Sequence, residues 1–171
     1  MQVIEAGRFT LEPQVAAHAE QMFAVLSDPA IYQYENDPPP SLEWLRERFA
    51  KLETRRSADG REQWLNWVIR LPTSELIGYV QGTVDPNGHA AIAYELSSQY
   101  WGRGLARQAV QALITELVER YQVCSLSAVL KRENHRSRRL LESLGFSLAS
   151  PELHTAVEAG ELLMQREVRA A

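Results

Sequence analysis

The sequence predicts a mixed α/β (α+β) fold. Hydrophobic residues make up 45% of the 171-residue chain and charged residues 23%, a balance typical of globular proteins. Strand-like runs bounded by turn signals occupy the middle of the chain, and a helical period dominates the stretch that follows. The length suits one domain, so we expect residues 1–171 to form a single unit.

The first part of the chain predicts one strand and two helices. Arg8–Glu12 is a candidate strand, and apolar spacing predicts a helix over Pro13–Leu26. Three consecutive prolines then interrupt the chain within residues 35–41, because proline cannot continue a helix. Ser41 has the side chain of a helix N-cap, and a second helix is predicted from it through about Glu53.

Three strand candidates follow, and turn signals separate them. Trp64–Leu71 is rich in aromatic and β-branched residues, and residues 72–75 form a turn before the second run, Leu76–Val84. Asp85-Pro-Asn-Gly88 is a strong turn signal that precedes the third run, Ala90–Leu96. The pattern indicates an antiparallel meander.

Beyond the meander the apolar spacing becomes helical. Apolar residues at positions 105, 109, 113 and 117 predict a long helix over Leu105–Tyr121. The remaining predicted elements are a strand over Val123–Leu130, a helix over His135–Leu144 that Gly145 ends, and closing strands over Phe146–Ala149 and Glu161–Val168. The resulting order, β-α-α-β-β-β-α-β-α-β-β, supports a mixed fold.

Charge and composition argue against several classes of partner. With 18 basic and 22 acidic residues, no global basic field favours nucleic acid, and the mild acidic excess suits a cationic amine. A single cysteine allows no internal disulfide, so we expect a reducing, cytoplasmic setting. We find no signal peptide and no apolar run of the ~18 residues that span a bilayer, so no membrane partner is expected. The four histidines lack metal-ligand spacing, so no metal is expected. Cys124, the only cysteine, falls in an apolar strand, where packing is its expected role.

Residues 93–106 carry the strongest chemical signal. A predicted strand ends, a turn containing Gly102 and Gly104 follows, and the long helix begins at once. Helix N-termini expose unpaired N–H groups, and glycine lets the backbone approach a ligand closely. Arg103 and Arg107 add positive charge, so the turn suits a phosphate or pyrophosphate group. A plain strand-to-helix turn remains the alternative, since the pattern is neither a P-loop nor the dinucleotide fingerprint.

The stretch Tyr100-Trp-Gly-Arg-Gly-Leu-Ala106 resembles the coenzyme A pyrophosphate loop of the GNAT acetyltransferase superfamily. More narrowly, it resembles the RimJ and RimL branch of ribosomal-protein N-terminal acetyltransferases. In the superfamily pattern, Arg/Gln-x-x-Gly-x-Gly/Ala, Gly104 and Ala106 fill the last two places, and Trp101 stands where Arg or Gln is usual. The resemblance implies a central, mostly antiparallel mixed sheet with helices on both faces.

A second motif of this family, Asn-x-x-Ser-x-x-x-x-x-x-Leu-Gly-Phe, resembles residues 134–146. The likeness implies that Asn134 contacts the pantetheine arm of coenzyme A and that Ser137 lies near its thiol. Taken singly, Asn134 could be only a helix cap, and the closing Leu-Gly-Phe only a helix stop before a core aromatic. The occurrence of both motifs in order favours the functional interpretation.

The resemblance implies direct transfer of an acetyl group from acetyl-CoA, a co-substrate, to an amine, without an acyl-enzyme. Coenzyme A would enter between the strands that end near Leu96 and Leu130, and backbone groups there would bind its acetyl and pantetheine portions. The residues expected to contact it are Leu96, Ser97, Trp101, Gly102, Arg103, Gly104, Leu105, Ala106, Arg107, Asn134 and Ser137.

Glu95 and Ser137 are the candidate catalytic residues. The amine must lose a proton, and Glu95 is a carboxylate in an otherwise apolar strand, although a salt bridge or a water-facing position would also explain it. Many family members use a tyrosine on the later helix as general acid, but alignment on the second motif places Leu141 there. Ser137 could assist the departing thiolate instead.

The sequence does not identify the acceptor amine. The likeness favours a protein N-terminal α-amine, and the alternatives are a small-molecule amine (aminoglycoside, polyamine or amino acid) or a non-catalytic coenzyme A-binding module. Residues 30–53 should wall the acceptor site, where Glu35 and Asp37 could attract a cation or form only a solvated acidic loop. A monomer and a homodimer are both compatible with the sequence.

Overall fold

The computed structural model describes residues 1–34, 37–150, 152–153 and 157–168, which contain eight strands and four α-helices. The strands are β1 (Ile4–Glu5), β2 (Thr10–Pro13), β3 (Gln63–Arg70), β4 (Leu76–Val84), β5 (His89–Leu96), β6 (Ser125–Lys131), β7 (Ser147–Leu148) and β8 (Glu161–Glu167). The helices are α1 (Ala19–Leu26), α2 (Leu42–Glu53), α3 (Leu105–Tyr121) and α4 (His135–Ser143). The strands form one sheet in the order β1-β2-β3-β4-β5-β6-β8-β7, antiparallel except between β5 and β6. This architecture confirms the predicted mixed fold.

The first helix begins later than the sequence predicted. β2 ends at Pro13, which lies opposite Trp67 of β3, and the N–H of Gln14 donates to the carbonyl of Asn66 at 2.9 Å. This pairing keeps the chain extended, so α1 starts only at Ala19, after a short 3-10 turn. The sequence analysis also missed β1, because two residues are too few to show a period.

Alternation along the strands builds two cores, one on each face of the sheet. Trp67 and Val80 pack in the cluster that contains the buried residues of α3 and α4. Val68 and Leu76 pack in the cluster that contains the buried residues of α1 and α2. The helices therefore cover both faces, as the resemblance implied. In the part of the chain that the structure describes, no helix combines the length and apolarity needed to cross a bilayer.

The parallel strands β5 and β6 pair only where they begin. His89–Ala91 lies opposite Ser125–Ser127, and no pairing follows, although β6 stays paired with β8 through Lys131. A gap therefore opens in the sheet between the second halves of β5 and β6. The first motif begins where this half of β5 ends, and the second motif follows β6 directly.

Close packing of β4 holds the open half of β5 in place. At Gly78 a Cβ atom would lie 2.1 Å from the carbonyl oxygen of Glu95, a distance that no real side chain tolerates. Glycine thus permits β4 to approach the end of β5 closely, while β6 stays apart.

Candidate active site

A cleft of about 220 Å³ occupies the gap between β5 and β6. Its walls come from the end of β5, the N-terminus of α3 and the first turns of α4. The sequence-predicted site residues that line it are Glu95, Leu96, Trp101, Gly102, Gly104, Leu105, Ala106, Arg107, Asn134 and Ser137. The fold thus brings both sequence motifs to one cavity.

Two of the predicted cofactor residues, Ser97 and Arg103, are absent from this lining. The N–H of Ser97 donates to the carbonyl of Ile77 at 2.8 Å, and its carbonyl accepts from the N–H of Tyr100 at 3.0 Å. Both backbone groups of Ser97 are already used, so the structure does not support their assignment to the cofactor. The guanidinium of Arg103 lies over the ring of Tyr100, 5.3 Å from its centroid, on the exposed side of the turn.

The N-terminus of α3 has the features of an anion site. Gly104 is the N-cap residue, with φ of 74°, and no side chain caps the helix. The N–H groups of residues 105–107 have no acceptor among the described residues. A Cβ atom at Gly102 or Gly104 would meet nothing within 4 Å, so the backbone is open to a ligand. Arg107, held by a 3.1 Å bond to the hydroxyl of Ser143, adds positive charge.

The open edge of β5 directs backbone groups into the cleft. Hydrogen-bonded pairs alternate along an antiparallel ladder, and Ser97 already donates toward β4. The N–H and carbonyl groups of Tyr94 and Leu96 therefore point toward β6. The N–H of Leu96 lies 3.2 Å from a carboxylate oxygen of Glu95, which places that side chain beside the strand edge.

Trp101 forms one wall of the cleft and anchors the strand end. Its indole N–H donates to the carbonyl of Leu96 at 2.8 Å. The guanidinium of Arg136, another lining residue that the sequence analysis did not single out, stacks on the indole 3.3 Å from the ring centroid. Trp101 thus takes the place of the usual Arg or Gln while a cation lies directly against it.

A pair of hydroxyl groups that the sequence analysis missed lies in the cleft. The phenol oxygen of Tyr94 is 2.6 Å from the hydroxyl oxygen of Ser137. Ser137 is held in place because its N–H donates to the side-chain oxygen of Asn134 at 3.1 Å, which caps α4. Leu141, at the usual tyrosine position, is only 1% exposed and packs in the core. A strand residue, Tyr94, thus places a phenol beside Ser137 on the helix where Leu141 occupies the usual tyrosine position.

Glu95 faces the opposite side of β5 from Tyr94, the side of α1 and α2. It lies directly across from Tyr79 of β4. Burial, together with the negative charge of Glu95, raises the pKa of Tyr32 to about 12. Tyr32 is therefore protonated at neutral pH, and it donates to the carbonyl of Leu26 at 2.6 Å. Among the described residues that line the cleft, Glu95 is the one carboxylate.

A second cavity, of about 330 Å³, lies on the α1/α2 side of the sheet. Ile31 and Tyr34 line the first cleft whereas Tyr32 lines the second cavity, so one short segment separates the two. The second cavity is lined by Gln14, Leu26, Tyr32, Asp37, Pro39, Trp44, Leu45, Arg48, Phe49, Leu52, Asn66, Tyr79 and Gln81. Residues within 30–53 form much of its wall, Asp37 included; Glu35 lies outside the described residues.

Cys124 does not pack inside a strand, contrary to the prediction. It precedes β6, is exposed, and its sulfur lies 3.4 Å from the carbonyl oxygen of Gly88. Gly88 precedes the start of β5, so Cys124 is roughly 20 Å from Leu96 at the cleft end of that strand. Across the described residues, no group of three His, Cys, Asp or Glu side chains could hold a metal ion.

A sheet that opens beside an uncapped helix N-terminus suits a ligand that carries a phosphate group at one end and an extended, amide-bearing arm. The model of the Acetyltransferase (GNAT) domain family matches residues 8–147, and the chain belongs to this family of N-acetyltransferases. The resemblance drawn from the two motifs is confirmed. Because the chain belongs to a family of enzymes, the alternative of a non-catalytic coenzyme A-binding module is set aside.

Several proteins resemble this chain over most of its length. An uncharacterized N-acetyltransferase, p20 of Bacillus licheniformis, is 28% identical over 148 residues, 85% of this chain and 83% of p20. The solved structure of RimL, a ribosomal L7/L12 alpha-N-protein acetyltransferase in complex with coenzyme A, has a TM-score of 0.84 at 18% identity and covers 99% of both chains. A spermidine N-acetyltransferase SpeG chimera from Vibrio cholerae and hSSAT has a TM-score of 0.76 at 18% identity, covering 94% of this chain and 96% of that one. At such identities the structural likeness establishes the fold, and the named substrates of the two enzymes differ.

Proposed function

We propose that this chain, as one catalytic unit over residues 1–171, transfers acetyl from acetyl-CoA directly to the α-amine of a protein N-terminus. The observation that carries the proposal is the cleft itself, where an uncapped helix N-terminus, an open strand edge, a carboxylate and a hydroxyl pair converge. The likeness to the ribosomal-protein acetyltransferase supports a protein acceptor. A polyamine, supported by the likeness to the spermidine enzyme, is the competing acceptor.

The residues of the cleft fit acetyl-CoA, which supplies an acetyl group on a thiol whose anion is a tolerable leaving group. The backbone N–H groups of residues 105–107 and the guanidinium of Arg107 suit the pyrophosphate. The strand-edge groups of Tyr94 suit the amides of the pantetheine arm, beside Asn134, whereas the carbonyl of Leu96 already accepts from the indole of Trp101.

Glu95 is the proposed general base. An ammonium group cannot attack a carbonyl carbon, so a neighbouring group must remove its proton first. The Glu95 carboxylate lines the cleft and faces the side of the sheet where the second cavity lies, which allows it to meet an amine arriving from that side.

Tyr94 and Ser137 are the proposed acid pair. As the new bond between nitrogen and the acetyl carbon forms and the carbon–sulfur bond breaks, the Ser137 hydroxyl donates its proton to the departing sulfur. Tyr94, 2.6 Å away, then returns a proton to Ser137. Glu95 passes the ammonium proton to solvent before the attack, and it takes the second proton from the nitrogen as the amide forms. Solvent removes this second proton as well and restores the proton of Tyr94, so each turnover releases one proton and both groups end as they began.

Substitution Tyr94→Phe is expected to lower kcat by about 10- to 100-fold, since the serine hydroxyl remains but loses its proton source. The dissociation constant of acetyl-CoA, measured by calorimetry, should change little because the strand edge stays intact. Tyr121→Phe, at the far end of α3, is the matched control and should keep wild-type kcat. A wild-type kcat in Tyr94→Phe would show that Ser137 acts without the phenol.

Initial-rate kinetics test the transfer itself, with acetyl-CoA and a panel of N-terminal peptides, spermidine and simple amines. Direct transfer predicts intersecting lines when both substrates are varied, because both must be bound before either product leaves. Cys124→Ser should keep full activity, since the thiol lies roughly 20 Å from Leu96. Parallel lines together with loss of activity in Cys124→Ser would instead indicate an acyl-enzyme, and no turnover of any amine would overturn the proposal.

A further inference from the structure

A row of polar side chains crosses the α1/α2 face of the sheet and is not used by the chemistry proposed above. Asn66 of β3 lies opposite Gln81 of β4, and both line the second cavity. Tyr79, two residues from Gln81 on the same face, also lines it and lies opposite Glu95 of β5. The row therefore leads from the second cavity to the proposed base.

Asn66 is the unusual member of this row. It is only 6% exposed, and its side chain has no hydrogen-bond partner within the described ranges. Its amide atoms stay accessible from the cavity, so water or a ligand there must satisfy them. Gln14, which is also buried in this cavity, differs because its amide donates to the carbonyl of Phe49 at 3.2 Å.

Gln81 is a second cavity-lining amide without a hydrogen-bond partner among the described residues, and it is less buried than Asn66. Its side chain is half-buried, lines the cavity, and likewise has no hydrogen-bond partner in the part of the chain that the structure describes. Two neighbouring carboxamides thus point into one cavity with both their donor and acceptor capacity unused. A carboxamide both donates and accepts, as does a peptide bond, so the two groups are chemically complementary.

The spacing of the sheet matches an extended peptide. Gln81 is diagonal to Glu95 across β4 and β5, at about 7–8 Å, and Asn66 lies one strand further away. An extended chain advances about 3.3 Å per residue. An amine beside Glu95 would therefore bring the first peptide bonds of the acceptor within side-chain reach of Gln81 and Asn66.

We propose that Asn66 and Gln81 bind peptide bonds of the acceptor and so select a peptide α-amine over a polyamine. The inference rests on acetyl transfer at Glu95, as proposed above. A polyamine has further ammonium groups, which only donate, so it would leave the NH2 donors of both carboxamides unpaired, whereas a peptide carbonyl accepts from them. Asp37 is the one carboxylate among the described residues lining this cavity, and the cation Arg48 lines it too.

The test compares acceptors across matched variants. Asn66→Leu and Gln81→Leu remove the amides at similar size, and Gln111→Leu, on the exposed face of α3, is the control. The acceptors are Ala-Ala-Ala amide, Ser-Ala-Ala amide, their analogues with an ester as the first linkage, and spermidine. Acetyl-CoA affinity and thermal midpoint are measured for each variant.

We expect kcat/KM for the peptides to fall about tenfold or more in Asn66→Leu and Gln81→Leu, with acetyl-CoA affinity unchanged. The wild type should discriminate against the ester analogues, and the two variants should lose that discrimination. The thermal midpoint of Asn66→Leu should equal or exceed that of wild type, because the substitution breaks no side-chain hydrogen bond among the described residues. A merely structural role would instead lower the midpoint and leave the preference for amide over ester intact, which would overturn the inference.

Failure of this inference is distinguishable from failure of the proposed function. If spermidine is acetylated in preference to both peptides, the peptide-bond inference is overturned and acetyl transfer stands. If acetyl-CoA binds but no amine is acetylated, the transfer proposal fails. Titration of Ala-Ala-Ala amide into the protein loaded with coenzyme A then decides the inference: binding that Asn66→Leu weakens supports it, and absence of binding overturns it.

Discussion

Replacing Gly104 with tryptophan is expected to weaken acetyl-CoA binding by at least about 100-fold, because the side chain would occupy the space in front of the α3 N-terminus. A Cβ atom there meets no protein atom within 4 Å, so the indole would extend into the volume that the pyrophosphate needs. Hydrogen bonds to charged groups contribute about 1.5–3 kcal/mol each, and loss of about 2.7 kcal/mol is 100-fold in affinity. Calorimetric titration with acetyl-CoA measures the effect directly.

Gly60→Trp is the control for backbone strain. Gly60 also has a left-handed conformation, with φ of 72° against 74° for Gly104, and also has no atom within 4 Å of a Cβ position. It lies in the turn between α2 and β3, away from the cleft lining. Both variants should lose a similar amount of stability, about 1–2 kcal/mol, but only Gly104→Trp should lose the ligand. Wild-type affinity in Gly104→Trp would mean that the glycine turn is only structural.

The substitution Glu95→Gln is expected to lower kcat/KM by about 100- to 1000-fold near neutral pH, the usual range for loss of a general base. Glutamine keeps the size of the side chain and can still accept from the N–H of Leu96, so the strand edge should be preserved. The lost activity then reports on proton transfer rather than on folding. Acetyl-CoA affinity should stay near that of wild type.

The pH profile of Glu95→Gln gives an independent readout. Without a base, only the amine that is already neutral in solution can react. The residual rate should therefore rise about tenfold per pH unit until it levels off near the pKa of the α-amine, about 8. Glu119→Gln, on the exposed end of α3, should retain both the rate and the profile of wild type. A Glu95→Gln variant with wild-type kcat/KM would assign Glu95 a structural role beside Leu96.

The two predictions concern different steps, and the structure separates them by position. Gly104 lies at the N-terminus of α3, where only cofactor binding is expected to depend on it. Glu95 and Tyr94 are adjacent in β5 but point to opposite faces of the sheet, so a base and an acid need not neutralise each other. One strand can therefore present a carboxylate to the acceptor side and a phenol to the side of α4 and Ser137.

Most of the fold could be predicted from the sequence where one period persists between clear turn signals. The predicted bounds of β4 and α3 agree with the structure because each has a long regular pattern, with turn residues or glycines beside it. The start of α1 could not be predicted, because pairing with β3 keeps Pro13 and Gln14 extended. The segment Phe146–Ala149 is strand only at Ser147–Leu148, where it pairs with β8.

For the candidate site, too, some residues could be predicted from the sequence and others could not. The glycine turn, Asn134, Ser137 and Glu95 could be singled out because each belongs to a contiguous motif or breaks a local pattern. The backbone role expected of Ser97 could not be checked from the sequence, since it depends on which neighbour the N–H meets, and that neighbour is Ile77. The contact between Tyr94 and Ser137 could not be predicted from the sequence either, because Ser137 lies on a helix that follows β6.

By itself, the sequence determined the mixed fold, because local spacing and turn residues encode it, and the resemblance of its two motifs identified the family. The tertiary structure alone decided that Tyr94 meets Ser137, that the N–H of Ser97 is occupied, and that Asn66 faces a cavity. These outcomes depend on strand register and on contacts between residues far apart in the chain, which no local pattern encodes.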